Sequence, residues 1–162
     1  LIEPTITALA DSEVMVVVST GGRDVNAIGT PIPANTYVAE YLPHDQLLPK
    51  IDVLVTNGGY GAVQRALAAG VPVVVAGSTE DKPEVAARVA WSGAGINLQT
   101  GTPTPAAVAS AVRRIRTDDQ YLRNARRLEA AFARTDGIAE IAAMVDEVVD
   151  ERSREEPRVA HQ

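Results

Sequence analysis

The residues best suited to chemistry in this sequence are a set of glycines and the polar groups beside them. In Asn57-Gly58-Gly59-Tyr60-Gly61 three glycines fall within five positions, directly ahead of an apolar-periodic run from Ala62 to Ala69. Glycine lets backbone approach a ligand closely, and a helix starting there aims unpaired N–H groups and its positive dipole end at the same space. A phosphate fits such a mouth. Two further loops carry polar groups, Ser19-Thr20-Gly21-Gly22 and the stretch Gly77 to Lys82, which ends in the charged pair Asp81-Lys82. The same glycines could equally make only a tight strand-to-helix turn, and Asp81 could open a helix simply because the dipole favours an acid. The central loop is not a Walker A element, since no Gly-Lys-Ser/Thr follows, and it lacks the Gly-x-Gly-x-x-Gly order of a dinucleotide fingerprint.

For these loops to cooperate they must stand at the same ends of neighbouring strands, and the hydrophobic pattern supplies those strands. Val14 to Val18 is a continuous, largely β-branched run that reads as a strand buried on both faces, ending in the first glycine loop. Residues 23–35, with Gly29, Pro31 and Pro33, read as irregular, and Thr36 to Ala39 as a short strand followed by a short helix that turns Leu47 and Leu48 inward. From Asp52 the grammar is regular: strand Val53 to Thr56, glycine loop, helix Ala62 to Ala69, strand Pro72 to Ala76, then a helix over Pro83 to Ser92 and a last strand at Ile96 to Leu98. Ligands bind beyond the carboxyl ends of strands in such open parallel sheets. The expected fold is therefore α/β, a Rossmann-like doubly wound parallel sheet with C-terminal helices.

The remaining third reads as helix. Thr104 caps a helix over Pro105 to Arg116, Asp118 or Asp119 opens another that runs to about Ala133, and a final amphipathic helix carries Ile138, Ile141, Val145, Val148 and Val149. Residues 1–150 are expected to form one domain and 151–162 a disordered charged tail. Leu1 to Ala10 reads as the end of a helix with Ile2, Ile6 and Leu9 on one face, and Leu1 is not an initiator, so the chain is expected to start within the domain, which would lack its first strand. Trp91, near Val85 and Val89, is expected in the core. The apolar stripe of the last helix is expected to be exposed and to let the chain self-associate.

Composition narrows the chemistry. The 162 residues contain no Cys, which removes disulfides, thiolate metal sites and a cysteine nucleophile. Fifteen Lys and Arg against 21 Asp and Glu give a net charge of -6, unsuited to a broad nucleic-acid surface. The longest strongly apolar run is far short of the ~20 residues a bilayer needs, and no signal-peptide pattern opens the chain, so a soluble, cytoplasmic protein is expected.

Taken together, Asn57-Gly58-Gly59-Tyr60-Gly61-Ala62-Val63-Gln64-Arg65-Ala66-Leu67, then Gly70-Val71-Pro72, then Asp81-Lys82, resemble the signature of GT-B glycosyltransferases, in particular the UDP-glycosyltransferase superfamily with its antibiotic and macrolide members. That pattern reads His-Gly-Gly-x-Gly-Thr/Ser-x-x-Glu-Ala-Leu, Gly-x-Pro, Asp-Gln. Tyr41-Leu42-Pro43-His44 is similar to the family's Trp-x-Pro-Gln element, and Arg88-Val89 and Gly93-Ala94-Gly95 fall where the family has Arg-Val and Gly-x-Gly. The similarity runs from about residue 13 to residue 130.

The resemblance implies the C-terminal, donor-binding half of a two-domain enzyme that moves a hexosyl group from a UDP- or dTDP-sugar to an acceptor hydroxyl. Thr20 and Gly21 would line the first loop, Tyr41 would flank the base, and Asn57, Gly58, Gly59, Gly61 and Ala62 would surround the diphosphate. Gln64 and Arg65 would lie near the ribose, and Asp81 and Lys82 would reach the sugar hydroxyls. No cofactor is expected, since the nucleotide sugar is a substrate, and no metal, since no Asp-x-Asp occurs. The catalytic base and the acceptor pocket belong to an N-terminal domain in that family. Neither His44 nor His161 fits the base, so no residue here is assigned as catalytic and the chain alone is expected not to turn over.

Four positions depart from the pattern. Asn57 replaces His, Ala62 replaces Thr or Ser, Arg65 replaces Glu and Lys82 replaces Gln. An arginine cannot accept a hydrogen bond. Either Gln64 takes over the ribose, or donor handling differs, or the domain is a degenerate, non-catalytic nucleotide-sugar binder. A different GT-B-like enzyme, such as a sugar-nucleotide epimerase, is a further alternative.

Overall fold

The computed structural model describes residues 1–155, divided into two compact units at 1–130 and from 131 onward. In the first unit α1 (Ile2–Leu9) leads to β1 (Val16–Ser19), a 3-10 turn at Val25–Ala27, β2 (Thr36–Ala39), the short α2 (His44–Leu47) and a second 3-10 turn at Leu48–Lys50. Then follow β3 (Leu54–Thr56), α3 (Tyr60–Ala68), β4 (Val73–Val75), α4 (Lys82–Ser92), β5 (Gly95–Asn97), α5 (Pro105–Thr117) and α6 (Asp119–Phe132). Among the described residues every strand pairing is parallel, in two ladders: β1 with β2, and β3-β4-β5 with β4 in the middle.

β4 shows why the layers form. Val73, Val74 and Val75 are each fully buried, and alternation sends them to opposite faces. Val73 and Val75 join Val63, Leu67, Val85 and Val89 of α3 and α4, while Val74 joins Ile6 and Leu9 of α1 and Val108, Val112 and Ile115 of α5. That second layer also takes Val16 and Val18 of β1 and Val53 and Val55 from the β3 segment, so the two ladders share one apolar face. The fold is the α/β arrangement expected, with helices on both faces of parallel strands.

Three expectations need correction. The run at β1 is not buried on both faces: Val16 and Val18 are inside, but Met15 and Val17 are exposed, because the residues after β1 form loop and a 3-10 turn instead of a covering helix. Trp91 is 91% exposed. At 100° per residue it lies about 200° around α4 from Val89, outside the stripe of Val85, Ala86 and Val89. Finally, in the second unit α7 (Gly137–Glu155) continues past Asp150, so the expected tail begins inside a helix. Its Glu and Arg residues are good helix formers without any apolar stripe. Residues 156–162, His161 among them, lie outside the described residues. Ile138, Ile141, Val145 and Val148 are exposed along α7.

Candidate functional site

The sharpest geometry stands at the tips of β3 and β4. Thr56, the last residue of β3, is buried and its Oγ1 accepts from the Gly58 N–H at 3.3 Å. One residue on, Asn57 Oδ1 accepts from the Gly59 N–H, also at 3.3 Å. Two side chains thus fold the loop back on itself. Gly58 takes φ +86°, and a Cβ there would lie 2.6 Å from Val75 Cγ1. Gly59 is the N-cap of α3 and its carbonyl accepts from Ala62 and Val63 at 3.1 Å. The N–H groups of Tyr60 and Gly61 head the helix without an intrahelical acceptor. The backbone donors presented at this mouth are therefore Tyr60 and Gly61, whereas Ala62, expected among them, already spends its N–H on Gly59.

The loop after β4 is pressed against this one. The Ala76 N–H donates to Thr56 O at 3.0 Å, and a Cβ on buried Gly77 would overlap the carbonyl oxygen of Asn57. No side chain fits between the two backbones. The Lys82 stem runs alongside: its Cβ lies 3.0 Å from where a Cβ on Gly77 would stand and 3.7 Å from where one on Gly58 would. Its side chain is 15% exposed, and its ammonium bonds to the Glu80 carboxylate and to Thr79 Oγ1, the latter at 3.2 Å. Asp81 is the N-cap residue of α4, yet its carboxylate caps no N–H, and it is exposed.

On α3, Gln64 Nε2 donates to the Tyr60 hydroxyl at 2.7 Å, which leaves the Gln64 carbonyl oxygen as an acceptor at the helix surface. Arg65 is exposed and its guanidinium has no partner among the described residues. The tips of β1 and β2 form a separate cluster. Thr20 N–H donates to Ala39 O at 3.0 Å and Gly22 N–H to Glu40 O at 2.8 Å, while Thr20 Oγ1 bonds back to Arg23 O. This ties Thr20 and Gly21 to the start of the segment carrying Tyr41, whose ring is 76% exposed. Asn57, Gly58, Gly59 and Lys82 are thus brought together at one mouth, with Gly61 and Asp81 beside them in the chain at the heads of α3 and α4, and Thr20, Gly21 and Tyr41 at another, both at strand carboxyl ends of the first unit.

Sequence reasoning missed Glu80 and Ser78. Glu80 adopts φ +58°, uncommon for a residue with a Cβ, and holds Lys82. Only the opposite charge two positions before Lys82 could have signalled it. Ser78 touches the loop after β5: a Cβ on Gly101 would stand 2.5 Å from Ser78 Oγ. Two clefts of about 290 and 360 Å³ lie elsewhere, one at the amino ends of β3 and β4 beside Asp52, Gly70 and Arg116, the other along β5.

A parallel α/β unit with glycine loops and helix heads gathered at its strand tips is the form expected above for one half of a GT-B glycosyltransferase. Residues 4–148 match the family described as erythromycin biosynthesis protein CIII-like, C-terminal domain, and the chain belongs to that family. It is 42% identical over 149 residues to 4'-demethylrebeccamycin synthase of Lentzea aerocolonigenes, covering 92% of this chain and 35% of that protein. With UDP-glycosyltransferase 2 of Phaeomoniella chlamydospora it shares 42% over 151 residues, covering 91% and 33%. Among solved structures, the calicheamicin glycosyltransferase CalG4 matches with a TM-score of 0.78 at 30% identity, over 95% of this chain and 40% of that one. The chain spans about a third of the length of these curated relatives. No helix among the described residues is long and apolar enough to cross a membrane.

Proposed function

We propose that this chain is the donor-binding part of a hexosyltransferase that takes its sugar from UDP or dTDP, with the acceptor pocket and the catalytic base supplied by protein beyond these residues. One observation carries the reading. The N–H groups of Tyr60 and Gly61, unpaired among the described residues, head a helix in a mouth whose two walls, at Asn57 and Gly77, are backbone on backbone. In sugar transfer the bond from the anomeric carbon to the diphosphate breaks and negative charge grows on the departing oxygen. Fixed N–H donors and a helix dipole stabilise that charge without a metal.

The other residues take roles by their remaining valences. The Gln64 carbonyl accepts a ribose hydroxyl, a part Arg65 cannot play. The Asn57 amide NH2 is left to donate to phosphate while its oxygen holds Gly59. Asp81, free of any cap bond, accepts from sugar hydroxyls, and Tyr41 offers an exposed ring to the base. Titrating the chain calorimetrically with UDP, dTDP and their glucose conjugates tests this directly. Binding that Asn57→Asp weakens, through like charge at the phosphates, supports the reading; no binding by any of the four ligands ends it. Donor turnover is expected only when the chain is joined to its acceptor-side partner domain.

A further inference from the structure

We infer that Glu80 is an internal competitor for the donor diphosphate, holding the Lys82 ammonium until a phosphate displaces it, and so sets how strongly this mouth discriminates in favour of multiply charged donors. The inference rests on the donor reading above and names a residue that the reading did not use.

Three features carry it. The Lys82 stem is packed beside Gly58 and Gly77, the two glycines that shape the mouth, so the side chain can swing only at its far end. That end is gripped by Glu80 and Thr79. Glu80 in contrast is 75% exposed along its side chain and has no other partner among the described residues, so letting go costs it little. Its backbone is held at φ +58°, a conformation uncommon for a residue with a Cβ, and its carboxylate is turned back onto Lys82.

The electrostatics then set the order of preference. A single carboxylate neutralises Lys82 when the mouth is empty and repels any anion that enters. A diphosphate carries more charge than the carboxylate and also meets the Tyr60 and Gly61 N–H groups, so it wins the ammonium and drives Glu80 into water. An uncharged nucleoside cannot displace Glu80. The latch therefore costs diphosphate affinity and leaves nucleoside affinity alone.

The test is calorimetric titration of the chain and of Glu80→Gln with UDP, dTDP and uridine at low and high salt, with Glu84→Gln as the control. Glu84 lies on α4, paired with Arg88 at 2.7 Å, and its substitution makes the same change in net charge. Because the pair is exposed and its attraction is weakened by solvent, Glu80→Gln should bind UDP or dTDP only about two- to five-fold more tightly, with uridine unchanged and the gain shrinking in high salt. Equal gains for Glu80→Gln and Glu84→Gln, or a Glu80→Gln variant that binds diphosphates no better than the parent chain, overturn the latch while the donor reading stands. Absence of UDP and dTDP binding in every variant overturns both.

Discussion

The two glycine loops at the strand tips use the same residue for opposite reasons. After β1, Gly21 and Gly22 take φ +68° and +86°, and nothing lies within 4 Å of a Cβ built on either. There glycine serves backbone direction alone. At the tips of β3 and β4, Gly77 has no unusual φ but no room, because the Asn57 carbonyl occupies the space its Cβ would need, and Gly58 combines positive φ with a close Val75. The first loop is an open turn tied to β2 by Thr20 and Gly22; the second is a packed joint with two helix heads behind it. A motif rich in glycine therefore says little until it is known whether space or conformation demands it.

Substitutions break this contrast in a graded way. Gly77→Ala should have the largest effect, more than about 3 kcal/mol lost in denaturant melts, since the clash is with backbone that cannot rotate away. A loss below about 1 kcal/mol would mean the joint is loose. Gly58→Ala should cost about 2–3 kcal/mol from the Val75 contact together with positive φ, and nucleotide binding should fall with it. Tyr41→Ala should leave melting unchanged while weakening UDP or dTDP binding about ten-fold by loss of stacking; a melting shift without an affinity change would assign the ring to packing instead. Gly21→Ala, with open space around it, should cost only about 1 kcal/mol, the penalty of the left-handed backbone. The smallest effect is on titration. The hydrogen bond and then the charge of Lys82 hold the Glu80 carboxyl below its usual range. A depressed carboxyl favours the paired state at neutral pH and surrenders it only as pH falls through the lowered value. A carbon-detected NMR titration should place the Glu80 midpoint lower in the parent chain than in Lys82→Met; coincident midpoints would deny the pair in solution.

Much of this is legible in the chain itself. Apolar periodicity, Pro83 and Pro105 in first helical turns, Gly70 and Gly93 after helices and the β-branched runs mark the elements of the first unit to within a few residues, since each signal is local. The glycine loop and Asp81-Lys82 are visible because spacing survives in sequence. Where pattern and structure part, the cause is shared. The size of Trp91 points to the core, yet its angle around α4 sends it to the surface, and the apolar type of Met15 and Val17 points inward while the missing helix above them decides exposure.

Sequence alone thus determined the alternation of strands and helices, the family, and which residues stand at the strand tips, for these follow from near-neighbour chemistry and pattern. Tertiary structure decided which of those groups are still available: Ala62 N–H spent on Gly59, Gln64 turned toward Tyr60, Lys82 held by Glu80, and Gly77 required by a carbonyl twenty residues away. A donor's partner and a glycine's free space are properties of what folding brings alongside, and no single stretch of chain contains them.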